Sequence, residues 1–303
     1  MIAGISTAKG VGPSVSLKQT EAESKDMAKN LSSSKEEVSA HIGNIVRSEI
    51  NKNADYDLEE WIQSRVHVGQ GDSVLDIGCG NGKQVAVFSD LVGDGGKVIG
   101  TDIFSQVPGL LENAREKLAG KKNVQLIDHN ASLPFPQANQ TFDIITSCYS
   151  FYYVDNVQST LQECYRLLKH GGRCFIVGPS WDNSKEFYDL NREITNQGLP
   201  ENFSARLWRI NNEVIPAAYE IFDRVEVSPF VNRVFFEGQQ GVEVVEEYYR
   251  ATLLFQEESD QQGEREQFAK EFVRRVQMEV KKYGRYIIYK RAIGLTLYKE
   301  AQS

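Results

Sequence analysis

Several things are scarce or missing in this chain of 303 residues. No apolar run approaches the ~20 residues that a membrane-spanning helix needs. The four cysteines, Cys79, Cys148, Cys164 and Cys174, include no Cys-x-x-Cys pair. They are expected to be buried free thiols in a reducing compartment. The four histidines, His41, His67, His129 and His170, are as scattered, with no His-x-x-x-His or Cys/His cluster, so no metal is expected. Positive charge is in deficit: 34 Lys and Arg stand against 42 Asp and Glu, a net −8. A broad nucleic-acid surface is therefore disfavoured, and no nucleic-acid partner is expected. The first residues lack an apolar signal core, and Glu21, Glu23 and Asp26 do not suit a transit peptide. These absences predict a cytoplasmic protein. Its hydrophobic fraction of 41% suffices for one large domain, or one domain with an appendage.

What the chain does have is one organising stretch, Val74-Leu75-Asp76-Ile77-Gly78-Cys79-Gly80-Asn81-Gly82-Lys83. A short apolar run ends in three alternate glycines, and an amphipathic segment follows. That order predicts a strand, a tight turn and a helix. Glycine there lets the backbone take positive φ and lets a ligand approach without meeting a Cβ. The helix N-terminus behind it offers unpaired N–H groups and a positive dipole end. A second apolar run ends at Asp102, where a carboxylate is placed to grip the hydroxyls of a ribose.

From 71 to 178 strands and helices alternate. Strands are predicted at 73–77, 97–101, 124–127, 142–147 and 173–177, and helices at 83–92, 110–118 and 157–168. This alternation means βαβ units, a parallel sheet with helices on both faces, and ligands at the carboxyl ends of the strands. Residues 1–34 are predicted to be a disordered arm. A helical N-terminal cap follows over 35–70. It opens with a capping box at Ser34 and Glu37, has Val38, Ile42, Ile45 and Val46 on one face, and carries a second helix at 58–66. Beyond Pro179 the chain is predicted helical over 180–220 and 241–283, with strands at 222–236 and 286–298. The charge run from Glu257 to Glu266 reads as a solvated loop.

Two cofactor classes use a glycine turn of this kind. A nicotinamide site wants G-x-G-x-x-G; the spacing here is G-x-G-x-G after an acid. That pattern resembles motif I of the class I S-adenosylmethionine (SAM)-dependent methyltransferases. The stretch Leu133-Pro134-Phe135-Pro136, followed by Phe142-Asp143, resembles the ubiquinone-biosynthesis-like, or type 11, branch. So does Arg166-Leu167-Leu168-Lys169-His170-Gly171-Gly172, with His170 where proline is usual. The resemblance implies an α/β, Rossmann-like seven-stranded methyltransferase sheet, five parallel strands plus two C-terminal strands, with helical lid insertions at about 180–220 and 241–283 of a domain spanning 71–303.

It also implies SAM as cofactor, with S-adenosylhomocysteine as its product. Asp76, Gly78, Cys79, Gly80, Asn81 and Gly82 would hold its methionine end, Asp102 its ribose, and Ile103 would flank its adenine. The adenine edge would meet Asp128, His129 or Asn130, with Asn130 and Ala131 favoured. A carbonyl at Cys148 or Tyr149 would face its ammonium. About three extra residues after Asp102 depart from the family pattern. Tyr56, in the N-terminal cap, is a candidate for the neighbourhood of the reacting sulfur, or simply a half-buried ring. His129, Tyr149, Tyr152 and Tyr153 are candidates for a base or for lining the methyl path. The expected reaction is methyl transfer to a small-molecule O, N or C acceptor, aromatic or apolar. The alternatives are a SAM-binding regulatory or scaffold protein and a protein or peptide methyltransferase, with a nicotinamide oxidoreductase a distant third.

Overall fold

The computed structural model describes residues 53–199, 201–250 and 262–301. The arm at 1–34, the capping box at Ser34 and Glu37, the face of Val38, Ile42, Ile45 and Val46, and the first half of the Glu257 to Glu266 run lie outside them; the second half is not a loop but the start of a helix at Gln262. The strands are β1 (Ser73–Ile77), β2 (Lys97–Asp102), β3 (Val124–Asp128), β4 (Phe142–Cys148), β5 (Leu168–Pro179), β6 (Arg224–Glu237) and β7 (Arg285–Tyr298). The helices are α1 (Leu58–Val66), α2 (Lys83–Val92), α3 (Leu110–Lys117), α4 (Val157–Leu167), α5 (Lys185–Thr195), α6 (Glu201–Arg209), α7 (Ile215–Ile221), α8 (Gly238–Tyr249) and α9 (Gln262–Tyr283). A wide π turn, Ile210–Val214, joins α6 to α7. Among the described residues no helix is long and apolar enough to cross a membrane.

All seven strands form one sheet in the order β3-β2-β1-β4-β5-β7-β6. The first five pair in parallel, and β7 runs antiparallel between β5 and β6. The chain order reverses between β1 and β4, where a ligand crevice opens at the carboxyl edge. Central strands carry continuous apolar runs because both faces are covered. On one face α1, α2 and α3 pack through Ile62, Phe88 and Ala114 onto Val74, Val98 and Phe175. On the other, α4, the π turn and α7 pack through Leu161, Ile210 and Ala218 onto Leu75, Ile145 and Leu295.

Predicted and observed elements differ mainly at the end of the chain. Strand β5 begins at Leu168 rather than 173, because Leu168 already pairs with Phe142 across a register shift. The last strand begins at Arg285, one residue before the expected 286. It pairs with β6 from Arg291 to Arg285, past the point where β5 ends at the Pro179–Ala292 pair. The two strands therefore rise beyond the sheet's carboxyl edge as an arm. A separate apolar core is built on it: Phe187 of α5, Val245 and Tyr249 of α8, and Phe272 and Val276 of α9 surround Val234, Phe236, Tyr286 and Ile288. The span 180–220 is thus divided, α5 joining this upper core while Ile210–Val214 and α7 pack on the sheet.

The chain enters along the outer edge of the arm. Ala54 bridges Val234, with Asp55 N–H donating to Arg233 O (3.1 Å) and Phe235 N–H to Asn53 O (3.0 Å). Asp57 then caps α1, its carboxylate accepting from the N–H groups of Glu59 (2.7 Å) and Glu60 (3.3 Å). Trp61 packs over Phe230 at 5.0 Å and Phe175 at 6.2 Å, which seats α1 on the sheet next to α2.

Candidate functional site

The glycine turn closes the carboxyl end of β1. Gly78 has φ +71°, and an added Cβ would lie 2.2 Å from the Ser150 Cβ. Both backbone and space exclude a side chain there. Ser150 in turn donates to the Ile77 carbonyl (2.7 Å), so β1 and the loop after β4 are locked at this point. Gly80, at φ +54°, faces open space where a Cβ would stand. Its N–H donates to Asp102 Oδ2 (2.8 Å), while Asp102 Oδ1 accepts from Ile103 N–H (2.8 Å). The carboxylate at the end of β2 thus pins the turn and keeps lone pairs for a further donor.

Asp76 is the unusual group. It is 2% exposed and accepts from the Thr146 hydroxyl (2.7 Å). Among the described residues no cationic side chain lies within ion-pair distance of it. Burial raises its carboxyl to about 7, opposed by the Thr146 bond and reinforced by the charges of Asp102 and Glu59. A buried carboxylate beside two others, with no cation, suits a positively charged ligand.

Other predicted residues gather around this centre. Cys79 is buried against α2, so only its backbone faces the turn, and burial pushes its thiol up. Asn81 is exposed at the tip and Gly82 precedes α2. Cys148 and Tyr149 stand at the end of β4, on the α1 and α2 face. Tyr149 has φ +57°, a strained position for an aromatic residue, held by its N–H bond to Val177 O (2.8 Å). Burial raises the Tyr149 hydroxyl above its ordinary range, so it is no base at neutral pH.

The loop after β3 is placed differently. Asn130 Oδ1 accepts from Ser132 N–H (2.9 Å), leaving its amide N–H₂ to donate outward, and Ala131 packs on the core beneath α4. His129 is turned back on its own loop, 4.4 Å from the Phe135 ring, with Nε2 3.3 Å from the Leu133 carbonyl. The extra residues after Asp102 form a single turn, Phe104–Gln106, that buries Phe104 in the core beside α2 and α3. Tyr152 and Tyr153 pack on each other at 4.6 Å, and line a groove of about 290 Å³ with Arg206 and Arg209. Tyr56 is not brought to the turn: it is 65% exposed and lines a groove along the outer edge of β6 with Pro229 and Val231.

Three contributors were not legible in the sequence. Glu59 of α1 pairs with Lys83 Nζ (3.0 Å) and accepts from Gln84 Nε2 at the start of α2. Thr146 and Ser150 hold Asp76 and the turn. An acid in a first helical turn normally signals only dipole complementation, and the others carry no motif at all. Conversely, two motif pieces have structural work. Asp143 accepts from Ser73 N–H (2.9 Å) and Lys169 Nζ (2.7 Å), tying β1, β4 and β5 together. Glu163 and Arg166 of α4 bind the backbone of the loop after β3 at Phe135 and Gln137.

Among the described residues no His, Cys, Asp and Glu group could hold a metal. The open space over Gly80, the uncompensated acid at Asp76 and the pinned Asp102 fit a ligand with a cationic end and a diol.

Known proteins similar to this chain are methyltransferases. The family described as "Methyltransferase domain" matches residues 75–176. A demethylmenaquinone methyltransferase of Symbiobacterium thermophilum is 36% identical over 129 residues, covering 40% of this chain and 49% of the relative. The ubiquinone/menaquinone biosynthesis C-methyltransferase UbiE of Escherichia coli O1:K1 / APEC is 40% identical over 114 residues, covering 36% of this chain and 43% of the relative. The chain thus spans about half the length of the curated relatives it matches. The YcgJ protein of Bacillus subtilis shares the fold, with a TM-score of 0.51 and 17% identity over 81% of this chain and 98% of that one. Over residues 75–176 the chain thus matches a methyltransferase domain, on a fold that it shares with YcgJ.

Proposed function

We propose that the protein transfers a methyl group to a small-molecule acceptor with an aromatic or apolar body. The observation that carries this reading is Asp76, a buried carboxylate at the strand-order reversal with no cation beside it among the described residues. When bound, SAM supplies a methyl carbon already activated by its sulfonium, so the protein's share is placement and dryness. Asp76 and the Gly78–Gly82 turn would hold the cationic amino-acid end, and Asp102 the ribose hydroxyls. Asn130 would offer its amide N–H₂ to the adenine.

No side chain in the described site stands ready as a base. Tyr149 is held neutral, and His129 is turned onto Phe135 and Leu133. The acceptor would therefore arrive with its nucleophile available. It would lie between the sheet's carboxyl edge and the upper core on the arm. Trp181 and Trp208 stack there at 5.0 Å, each 43% exposed, near the end of β5. Flat apolar side chains of this kind suit a flat apolar acceptor. The relatives named above act, by their names, in quinone biosynthesis. A quinol ring is therefore the first acceptor to offer, although the segments after 179 lie outside the matching domain.

Calorimetric titration with SAM and S-adenosylhomocysteine tests the reading, with Asp102→Ala beside the wild type. Micromolar binding lost in the variant supports it. Transfer of labelled methyl to a reduced quinone would then identify the acceptor class. Binding with no transfer to any small molecule would favour a regulatory or peptide-modifying role, and no binding would overturn the reading.

A further inference from the structure

The glycine turn has a neighbour that belongs to no part of the matched domain. Glu59, on α1, reaches across to the first two residues of α2. One of its carboxylate oxygens lies 3.0 Å from Lys83 Nζ, and the other accepts from Gln84 Nε2. Gln84 is 9% exposed, and its own Oε1 has no partner. An unmet amide acceptor in a buried position is costly unless something donates to it. The Glu59 side chain is 32% exposed, and its charge adds to the burial that raises the Asp76 carboxyl.

We propose that Glu59 and Lys83 together read the zwitterionic amino-acid end of the cofactor; the proposal rests on the SAM reading above. An α-amino acid carries an ammonium and a carboxylate on one carbon. A protein carboxylate and ammonium already 3.0 Å apart are the opposite pattern, and can exchange partners with it. Glu59 then takes the ammonium together with Asp76, and Lys83 takes the carboxylate. Gln84 keeps Glu59 aimed at the turn, and its Oε1 gains an N–H donor. No charge is stranded at any stage, since each ion leaves one partner for another. Helix α1 thereby becomes a strap that the bound amino acid ties to α2.

The test compares two ligands sharing the same thio-adenosine half, S-adenosylhomocysteine and 5′-methylthioadenosine, which lacks the amino-acid end. Each is titrated calorimetrically into the full-length protein, Glu59→Gln and Lys83→Met. Glu59→Gln preserves shape and is expected to weaken S-adenosylhomocysteine at least tenfold. Lys83→Met is expected to weaken it about fivefold. Both variants should bind 5′-methylthioadenosine within twofold of wild type. Unchanged S-adenosylhomocysteine binding in Glu59→Gln overturns the proposal. Equal weakening of both ligands also overturns it, because Glu59 would then act only in packing α1. Wild-type protein that binds neither ligand would instead overturn the cofactor reading itself.

Discussion

At the scale of single residues, Asp76 sets function against stability. Burial, with the Asp102 and Glu59 charges, places its folded carboxyl at about 7. The unfolded chain releases that proton near pH ~4. Between these values the folded state holds more protons, so stability falls as pH rises from about 4 to 7, by as much as about 4 kcal/mol. Asp76→Asn removes this slope. Urea denaturation at pH 5.5 and 8 should show the variant more stable than wild type at pH 8, with about half of that gap left at 5.5. Its affinity for S-adenosylhomocysteine should drop at least 100-fold. Wild-type affinity should strengthen from pH 6 to 8, because the ionised carboxylate is the form that binds. Gly78 is the second such residue. Gly78→Ala would force a Cβ into Ser150 at positive φ, with a cost of about 3 kcal/mol or more. A thermal melt should show it, and Ser150→Gly should recover only part of the loss, because the backbone strain remains.

At the scale of elements, α1 is the informative one. Its seat on the sheet depends on Trp61 over Phe230 and Phe175, and its start depends on Asp57. Asp57→Ala should cost about 1 kcal/mol of local stability. Hydrogen exchange over 58–66 should quicken roughly fivefold, since local opening follows local free energy. Saturating S-adenosylhomocysteine should shrink that difference if the ligand bridges α1 and α2. The paired strands β6 and β7 are the second element with a consequence. They outrun β5 at the Pro179–Ala292 pair, and that overhang lets α5, α8 and α9 gather above the site.

At the scale of the whole molecule, the protein has two cores with separable duties. On the proposed function the sheet core would position the cofactor, and the upper core would roof the acceptor. Phe272 is fully buried in the upper core and stacks on Tyr249 at 4.0 Å. Phe272→Ala should cost about 3–5 kcal/mol there. Calorimetry should find S-adenosylhomocysteine bound within threefold of wild type, while transfer to the acceptor falls at least tenfold. Equal loss of both would mean that the two cores are one cooperative unit.

The sequence by itself determined the parallel half of the fold and its glycine turn. Alternating apolar runs, Asp76 with Gly78, Gly80 and Gly82, and Asp102 at the next strand end are local signals, each written within about ten residues. Where contacts span the chain, only the tertiary structure decided. Glu59 meets Lys83 and Gln84 because Trp61 seats α1 beside α2. Tyr56, equally plausible from sequence, is carried to the outer edge of β6, where the Asn232 side-chain amide accepts from its N–H and donates to its carbonyl. His129 is taken from the site by Phe135, a neighbour whose position is fixed by Glu163 and Arg166 of α4. The physical reason is the same each time. A side chain's direction depends on what its element packs against, and that packing is settled by residues tens to hundreds of positions away.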